Sequence, residues 1–337
     1  MKARTKAILA TTNGHRVWNI LLLKLSFHIS ILLRKPIHWG TPMAISIEPT
    51  TTCNLRCPQC PSGLRQFTRP TGNLSPSMNE EILEACGKNL QHINYYFQGE
   101  PFVNKHFLEF VKAARARNIY VVTSTNAHFI SPGIAEKVVE SGLSEIIISI
   151  DGTIQETYEK YRINGKLDKV LTGTKNLVAA KKKLNRKNPV LVFQFLVVRY
   201  NEHEIKKLYE MAKELGVDEV RLKSVQVYDF ETGNDLIPTN EKYARYRKTK
   251  NGGYELKNKF KNQCWRMWSS CVFTWDGAIV PCCFDKDAKH QLGNISKIPF
   301  KETWKSSIYD DFRNQIFKDR QAIEICKNCS EGSKVWV

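Results

Sequence analysis

The chain has 337 residues, 42% of them hydrophobic and 25% charged, with ten cysteines and a formal net charge of +18. Such a length buries a large core in one big domain or two smaller ones, and excludes a small secreted fold stapled by disulfides, as does the uneven spread of the cysteines. The basic excess favours anionic company: a phosphorylated or carboxylated substrate, nucleic acid or an anionic membrane surface.

At the N-terminus, "VWNILLLKLSFHISILL" (17–33) is strongly apolar but interrupted by Asn19, Lys24, Ser26, His28 and Ser30. It is short for a span, and no cleavable signal pattern precedes it, so a transmembrane helix is not expected. The reading is an amphipathic helix packed on the protein's own body, ahead of one lying on a membrane with Lys2, Arg4, Lys6, Arg16 and Arg34 meeting lipid phosphates. Residues 1–42 thus form an apolar, basic helical extension.

From residue 43 the pattern alternates. Strands are predicted at 44–48, 93–98, 119–124, 145–150, 190–198 and 219–225. Helical patterns lie between most of them, at Met78–Leu90, Lys105–Arg117, Pro132–Glu140, Lys169–Lys183 and Glu202–Leu215. Six such units over 43–230 predict a partial (β/α)6 barrel of parallel strands, whose loops at the carboxyl ends of the strands converge on one ligand-binding face. Residues 231–258 are polar, turn-rich and basic, and read as a linker. A C-terminal domain follows over 259–337.

The segment "IEPTTTCNLRCPQCP" (47–61) places Cys53, Cys57 and Cys60 within eight residues just past the first strand. Three thiolates are one short of a closed structural zinc site. They suit a centre that keeps one position open, and thiolates select iron–sulfur clusters or zinc. The spacing Cys53-x3-Cys57-x2-Cys60 resembles the signature of the radical S-adenosylmethionine enzymes. That resemblance implies a [4Fe–4S] cluster on these three cysteines, with S-adenosylmethionine chelating the fourth iron. Gln59 stands where the family usually has an aromatic residue that packs on adenine. Gln98-Gly99-Glu100-Pro101, after the second strand, resembles the family's Gly-Gly-Glu-Pro, which holds the methionine amino group. Ser124 and Asn126, at the third strand end, and Ser149 and Asp151, at the fourth, resemble its ribose and carboxylate contacts. Gln194 is read toward the adenosine and Arg162 toward the cofactor carboxylate. Cys86, inside a helical pattern, reads as a small buried hydrophobe.

The last quarter holds Cys264, Cys271, Cys282, Cys283, Cys326 and Cys329. Read alone, it permits a zinc ribbon on a basic protein, hence a nucleic-acid module. "CWRMWSSCVFTWDGAIVPCC" predicts a β-hairpin between "TWDG" and "VPCC" and is similar to the opening of the SPASM domain, an auxiliary-cluster extension of the same family. The count fits one auxiliary [4Fe–4S] cluster, as in the shortened Twitch variant, with Cys264, Cys282, Cys326 and Cys329 as ligands. Cys271 is the rival to Cys264, and Cys283 a spare or substrate-facing thiol.

The resemblance, over residues 43–337, implies reductive cleavage of S-adenosylmethionine to a 5′-deoxyadenosyl radical and hydrogen abstraction. An auxiliary cluster makes the expected outcome a two-electron oxidation, a dehydrogenation that needs a base. Lys223, Tyr228 and Asp229, after the sixth strand, and Cys283 are the candidates. The expected substrate is small or lipid-linked and anionic. A peptide- or protein-modifying maturase is the alternative within the family, and a zinc- and nucleic-acid-binding protein the one outside it. The enzyme reading expects a flavodoxin or ferredoxin as reductant, no nucleic acid, and a reducing cytoplasmic setting with peripheral membrane contact through 17–33 as the variant.

Overall fold

A computed structural model describes residues 8–257 and 261–329. Lys2, Arg4, Lys6 and the stretch beyond Cys329 lie outside these residues. Helix α1 (Gly14–Leu33) leads into β1 (Ala44–Ile47), the short α2 (Pro61–Leu64) and α3 (Pro76–Cys86). Then strands and helices alternate: β2 (His92–Tyr95), α4 (Phe107–Ala116), β3 (Tyr120–Thr125), α5 (Pro132–Glu140) and β4 (Glu145–Ser149). After α6 (Gln155–Tyr161) and α7 (Leu167–Lys183) come β5 (Val190–Val197), α8 (Ile205–Leu215) and β6 (Glu219–Ser224). Two small strands follow, β7 (Tyr246–Lys248) and β8 (Tyr254–Leu256). The C-terminal part contains α9 (Arg266–Ser269), β9 (Ser270–Phe273), β10 (Ala278–Val280), β11 (Gly293–Asn294), α10 (Phe300–Trp304) and α11 (Ser307–Asp319).

Local chemistry sets the helix starts. Ser75 accepts from the backbone of Met78 and Ser131 from that of Ile134, each with proline at the first helical position, where no hydrogen-bond donor is needed. At the centre of the sheet β3 and β4 are β-branched runs buried on both faces, β4 throughout its length, as parallel strands covered by helices must be, whereas β1 and β2 alternate buried and half-buried residues. β1 to β6 pair in sequence order, all parallel, with Ile45 beside Ile93 and Ser149 beside Gln194. This is the partial barrel expected.

The C-terminal hairpin is not a detached unit. β9 pairs in parallel with β1, placing Cys271 beside Ile45, and β10 and β11 follow antiparallel, so nine strands run in the order β11-β10-β9-β1-β2-β3-β4-β5-β6. Gly277, at φ 81°, makes the β9–β10 turn that a side chain would strain. One apolar cluster accordingly runs from Phe27 through Ile45, Ile93, Val121 and Phe195 to Trp268, Trp304 and Ile316.

Three sequence expectations need correction. The helix predicted to reach Leu90 stops at Cys86, where Gly87 caps it and turns the chain toward β2. The seven-residue α6 went unseen because "QETYEKY" offers too few apolar positions to show a period. The 231–258 linker is packed: β7 and β8 pair, and Tyr246 stacks on Phe230 at 4.8 Å over a small cluster with Val225, Val227 and Ile237.

The N-terminal helix spans 20 residues, more than the 17–33 stretch, and by length and composition it is long and apolar enough to cross a membrane. It nevertheless packs on the body through Arg16, Asn19, Leu23, Ser26, Phe27 and Ser30, with the Phe27 ring edge on Trp265 and Trp268.

Candidate functional site

Cys53, Cys57 and Cys60 lie in the loop after β1 and open on a cleft of about 230 Å³ at the carboxyl ends of the strands. Its walls bring together Gly99, Glu100, Ser124, Asn126, Ser149, Arg162 and Gln194, all expected from the sequence, with Tyr96, Phe97 and Tyr161, which were not. Burial pushes the Cys53 thiol up to about 12 and raises Cys57 as well, with neighbouring thiols adding to it. Free Cys53 and Cys57 thiols thus stay protonated at neutral pH, so a bound metal must displace their protons.

The loop is held tightly. Gly99 (φ 71°) brings its backbone against the loop after β1: a Cβ would stand 2.2 Å from the Thr50 carbonyl, and its N–H donates to Ser62 Oγ at 2.9 Å. Gln98 is buried with its Oε1 3.8 Å from Cys60 Sγ. Glu100, fully buried, accepts from Thr125 Oγ1 at 2.7 Å and from the Asn126 backbone at 2.8 Å, tying the end of β2 to that of β3. Burial pushes its carboxyl up to about 7 against those hydrogen bonds.

Asp151 differs from the expectation that it contacts cofactor. It does not line the cleft; its carboxylate accepts from Arg162 Nε at 2.5 Å and from the Leu196 backbone at 2.7 Å. Asp151 therefore aims Arg162, whose Nη1 lies 3.7 Å from Cys57 Sγ. Asn126 Nδ2 reaches Asn54 Oδ1 at 2.8 Å and lies 3.9 Å from Cys53 Sγ. Gln59 Oε1 is buried and, among the described residues, has no hydrogen-bond partner.

The second constellation also converges. Cys264, Cys282, Cys326 and Cys329 line one pocket walled by Met267, Phe284, Phe312, Ile316 and Ile325, and Arg320 Nη2 donates to Cys329 Sγ at 3.2 Å. Burial drives Cys326 up to about 12 and raises Cys282 far. Cys271 sits elsewhere, buried in β9, and Cys86 is a buried apolar residue as read. Cys283 does not line that pocket, but its thiol adds to the rise of Cys282, and Arg266 Nη1, from the pocket wall, lies 3.9 Å from its sulfur. Of the base candidates, Lys223 does not line the cleft; it is half-buried beside Cys283, Arg221, Arg266 and Arg245, and desolvation lowers its pKa, with the Cys283 thiol acting against the shift. Tyr228 and Asp229, expected to reach the pocket, are at the surface, where Lys286 Nζ donates to Tyr228 Oη at 2.9 Å.

Both thiol sets suit a cluster. The first three thiols share one loop and open on the cleft, leaving a position free, and the other four share one pocket, and thiolates select iron–sulfur clusters or zinc.

Comparison with known proteins agrees. The family profile described as the Radical SAM superfamily matches residues 47–220, and SPASM, an iron–sulfur cluster-binding domain, matches residues 264–330. The chain is 25% identical over 307 residues to the AdoMet-dependent heme synthase of Methanosarcina barkeri, covering 80% of this chain and 83% of that protein. It is 23% identical over 312 residues to the tungsten-containing aldehyde ferredoxin oxidoreductase cofactor-modifying protein of Pyrococcus furiosus, covering 84% and 86%. Streptococcus suis SuiB, in its structure with the precursor peptide SuiA, superposes with a TM-score of 0.63 at 15% identity, over 91% of this chain and 74% of that one.

Proposed function

The chain belongs to the radical S-adenosylmethionine superfamily, and on that premise we propose that it is an oxidoreductase that dehydrogenates a small anionic substrate. Its cofactors are a [4Fe–4S] cluster, S-adenosylmethionine and an auxiliary iron–sulfur cluster. When bound they supply one-electron chemistry, and a net conversion of alcohol and S-adenosylmethionine to carbonyl compound, methionine, 5′-deoxyadenosine and one proton balances in atoms and electrons.

Cys53, Cys57 and Cys60 would hold the first cluster, with Arg162 and Asn126 beside the thiols and Ser124, Ser149 and Gln194 lining the cofactor's cleft. The observation that carries the oxidation is the second thiol set. Cys264, Cys282, Cys326 and Cys329 line one apolar pocket and would supply four ligands, which would leave no position for substrate and suit electron transfer. Of the sequence candidates for the base, Lys223 keeps some support, since desolvation favours its neutral form, although it does not line the cleft. A flavodoxin or ferredoxin would supply the priming electron.

The names of the two curated relatives refer to cofactor chemistry, which supports a small molecule over a peptide. A lipid-linked substrate has less support. Arg16 at the start of α1 donates to the carbonyls of Arg117 and Asn118, just before β3, so this end of the apolar helix lies by the amino ends of the strands while the cleft opens at their carboxyl ends.

The test is iron and acid-labile sulfide per chain after anaerobic reconstitution. The wild type is expected to hold about eight irons and the Cys53/Cys57/Cys60→Ala variant about four, with 5′-deoxyadenosine formed only by the wild type. Zinc with little iron in both proteins overturns the reading and leads to salt-dependent nucleic-acid binding instead.

A further inference from the structure

Helix α1 is packed inside out. Its inward face carries Arg16, Asn19, Ser26 and Ser30 around Leu23 and Phe27, whereas its outward face carries Trp18 (63% exposed), Leu21 (54%), Leu25 (54%) and Leu32 (81%), flanked by Val17 and Leu33. Positions 18, 21, 25 and 32 recur at helical spacing and form one stripe along a helix about 30 Å long, with the exposed His28 between Leu25 and Leu32. Scattered surface leucines are ordinary, but a stripe of this kind, on a helix that by length and composition could cross a membrane, points to an interaction surface.

We propose that this outward face seats on an anionic lipid bilayer, with the helix axis in the plane of the interface. Charge selects the occupant. The first acidic residue of the chain is Glu48, and among the described residues Lys24, Arg34 and Lys35 stand exposed on the helix or just past it, while Arg16 is turned inward. A second copy of the chain docking through the same stripe would set these like charges against one another, while anionic headgroups complement them.

The inward contacts fix the orientation. The Arg16 guanidinium donates to the Thr11 carbonyl, to that of Asn118 at 2.6 Å and to that of Arg117 at 3.0 Å. Asn19 exchanges hydrogen bonds with the Thr41 backbone at 2.8 and 2.9 Å, and Ser30 Oγ accepts from the Ile37 N–H at 2.9 Å. Crossing the bilayer would tear these groups from their partners and leave them unsatisfied in hydrocarbon, so the helix lies on the membrane and does not span it.

The experiment is co-sedimentation of the full chain with vesicles of phosphatidylcholine alone and with about one third phosphatidylglycerol. Binding is expected on the anionic vesicles and to weaken with salt. Leu21→Gln/Leu25→Gln, changing exposed side chains only, is expected to weaken it at least about tenfold at unchanged Tm. Arg34→Gln/Lys35→Gln is expected to weaken it about fivefold per charge. Wild-type protein that ignores anionic vesicles overturns the proposal, as does undiminished binding by the leucine variant. A dimer that the leucine variant dissociates, with no vesicle binding, assigns the face to a second copy instead. None of these readouts depends on catalysis.

Discussion

The Asp151 carboxylate uses one oxygen for Arg162 and the other for the Leu196 backbone, and both partners bear on the cleft. The aspartate is buried, with 1% exposure, so removing its charge leaves a guanidinium without its counter-ion beside the Cys57 thiol. Asp151→Asn is expected to cost about 3 kcal/mol, read as a lower urea midpoint, and to reduce iron retained by the first site without affecting the C-terminal one. Gly99 makes a complementary point about backbone. Its left-handed conformation and the nearby Thr50 carbonyl leave no place for a side chain, which explains why the second glycine of the motif is kept where the first has become Gln98.

At the scale of elements, the connection between α1 and β1 is locked onto the C-terminal region. His38 Nε2 donates to the Trp268 carbonyl at 3.2 Å, and its ring meets Trp304 edge-on at 5.0 Å. Burial, aided by Arg313 and Lys305, pushes its pKa down from 6.5 to about 3. The unfolded chain therefore binds the extra proton over that window. The contribution of neutral His38 is fully present above pH 6.5 and is lost as the pH falls toward about 3. Tm measured at pH 7 and pH 5 is expected to drop in the wild type and to drop less in His38→Gln. Helix α1 would then be the element most affected, since Phe27 packs on the same tryptophan.

At the scale of the whole molecule, β9 closes an edge that β1 would otherwise present. Four residue pairs, from Ala44 beside Ser270 to Ile47 beside Phe273, join the two cluster-bearing regions in one sheet. A chain ended at residue 257 would expose that edge and the apolar faces of Ile45 and Ile47, so it is expected to aggregate when expressed. The full chain is expected to melt in one cooperative transition by calorimetry, because the core cluster crosses the junction without interruption.

Much of this was legible along the chain because it depends on local rules. β-branched runs alternating with helical periods give the parallel barrel, and the spacing of Cys53, Cys57 and Cys60 and of Cys326 and Cys329 points to two thiol centres. Roles that depend on where a side chain ends up were not legible. Whether Asp151 meets the cofactor or Arg162, and whether Tyr228 and Asp229 reach the interior, are set by packing between segments far apart in sequence. The same holds for α1. Its sequence determined an apolar helix broken by polar residues. Only the tertiary structure decided that the polar residues face inward, because backbone groups at Thr11, Arg117, Asn118 and Thr41 are there to satisfy them, leaving the leucines outside.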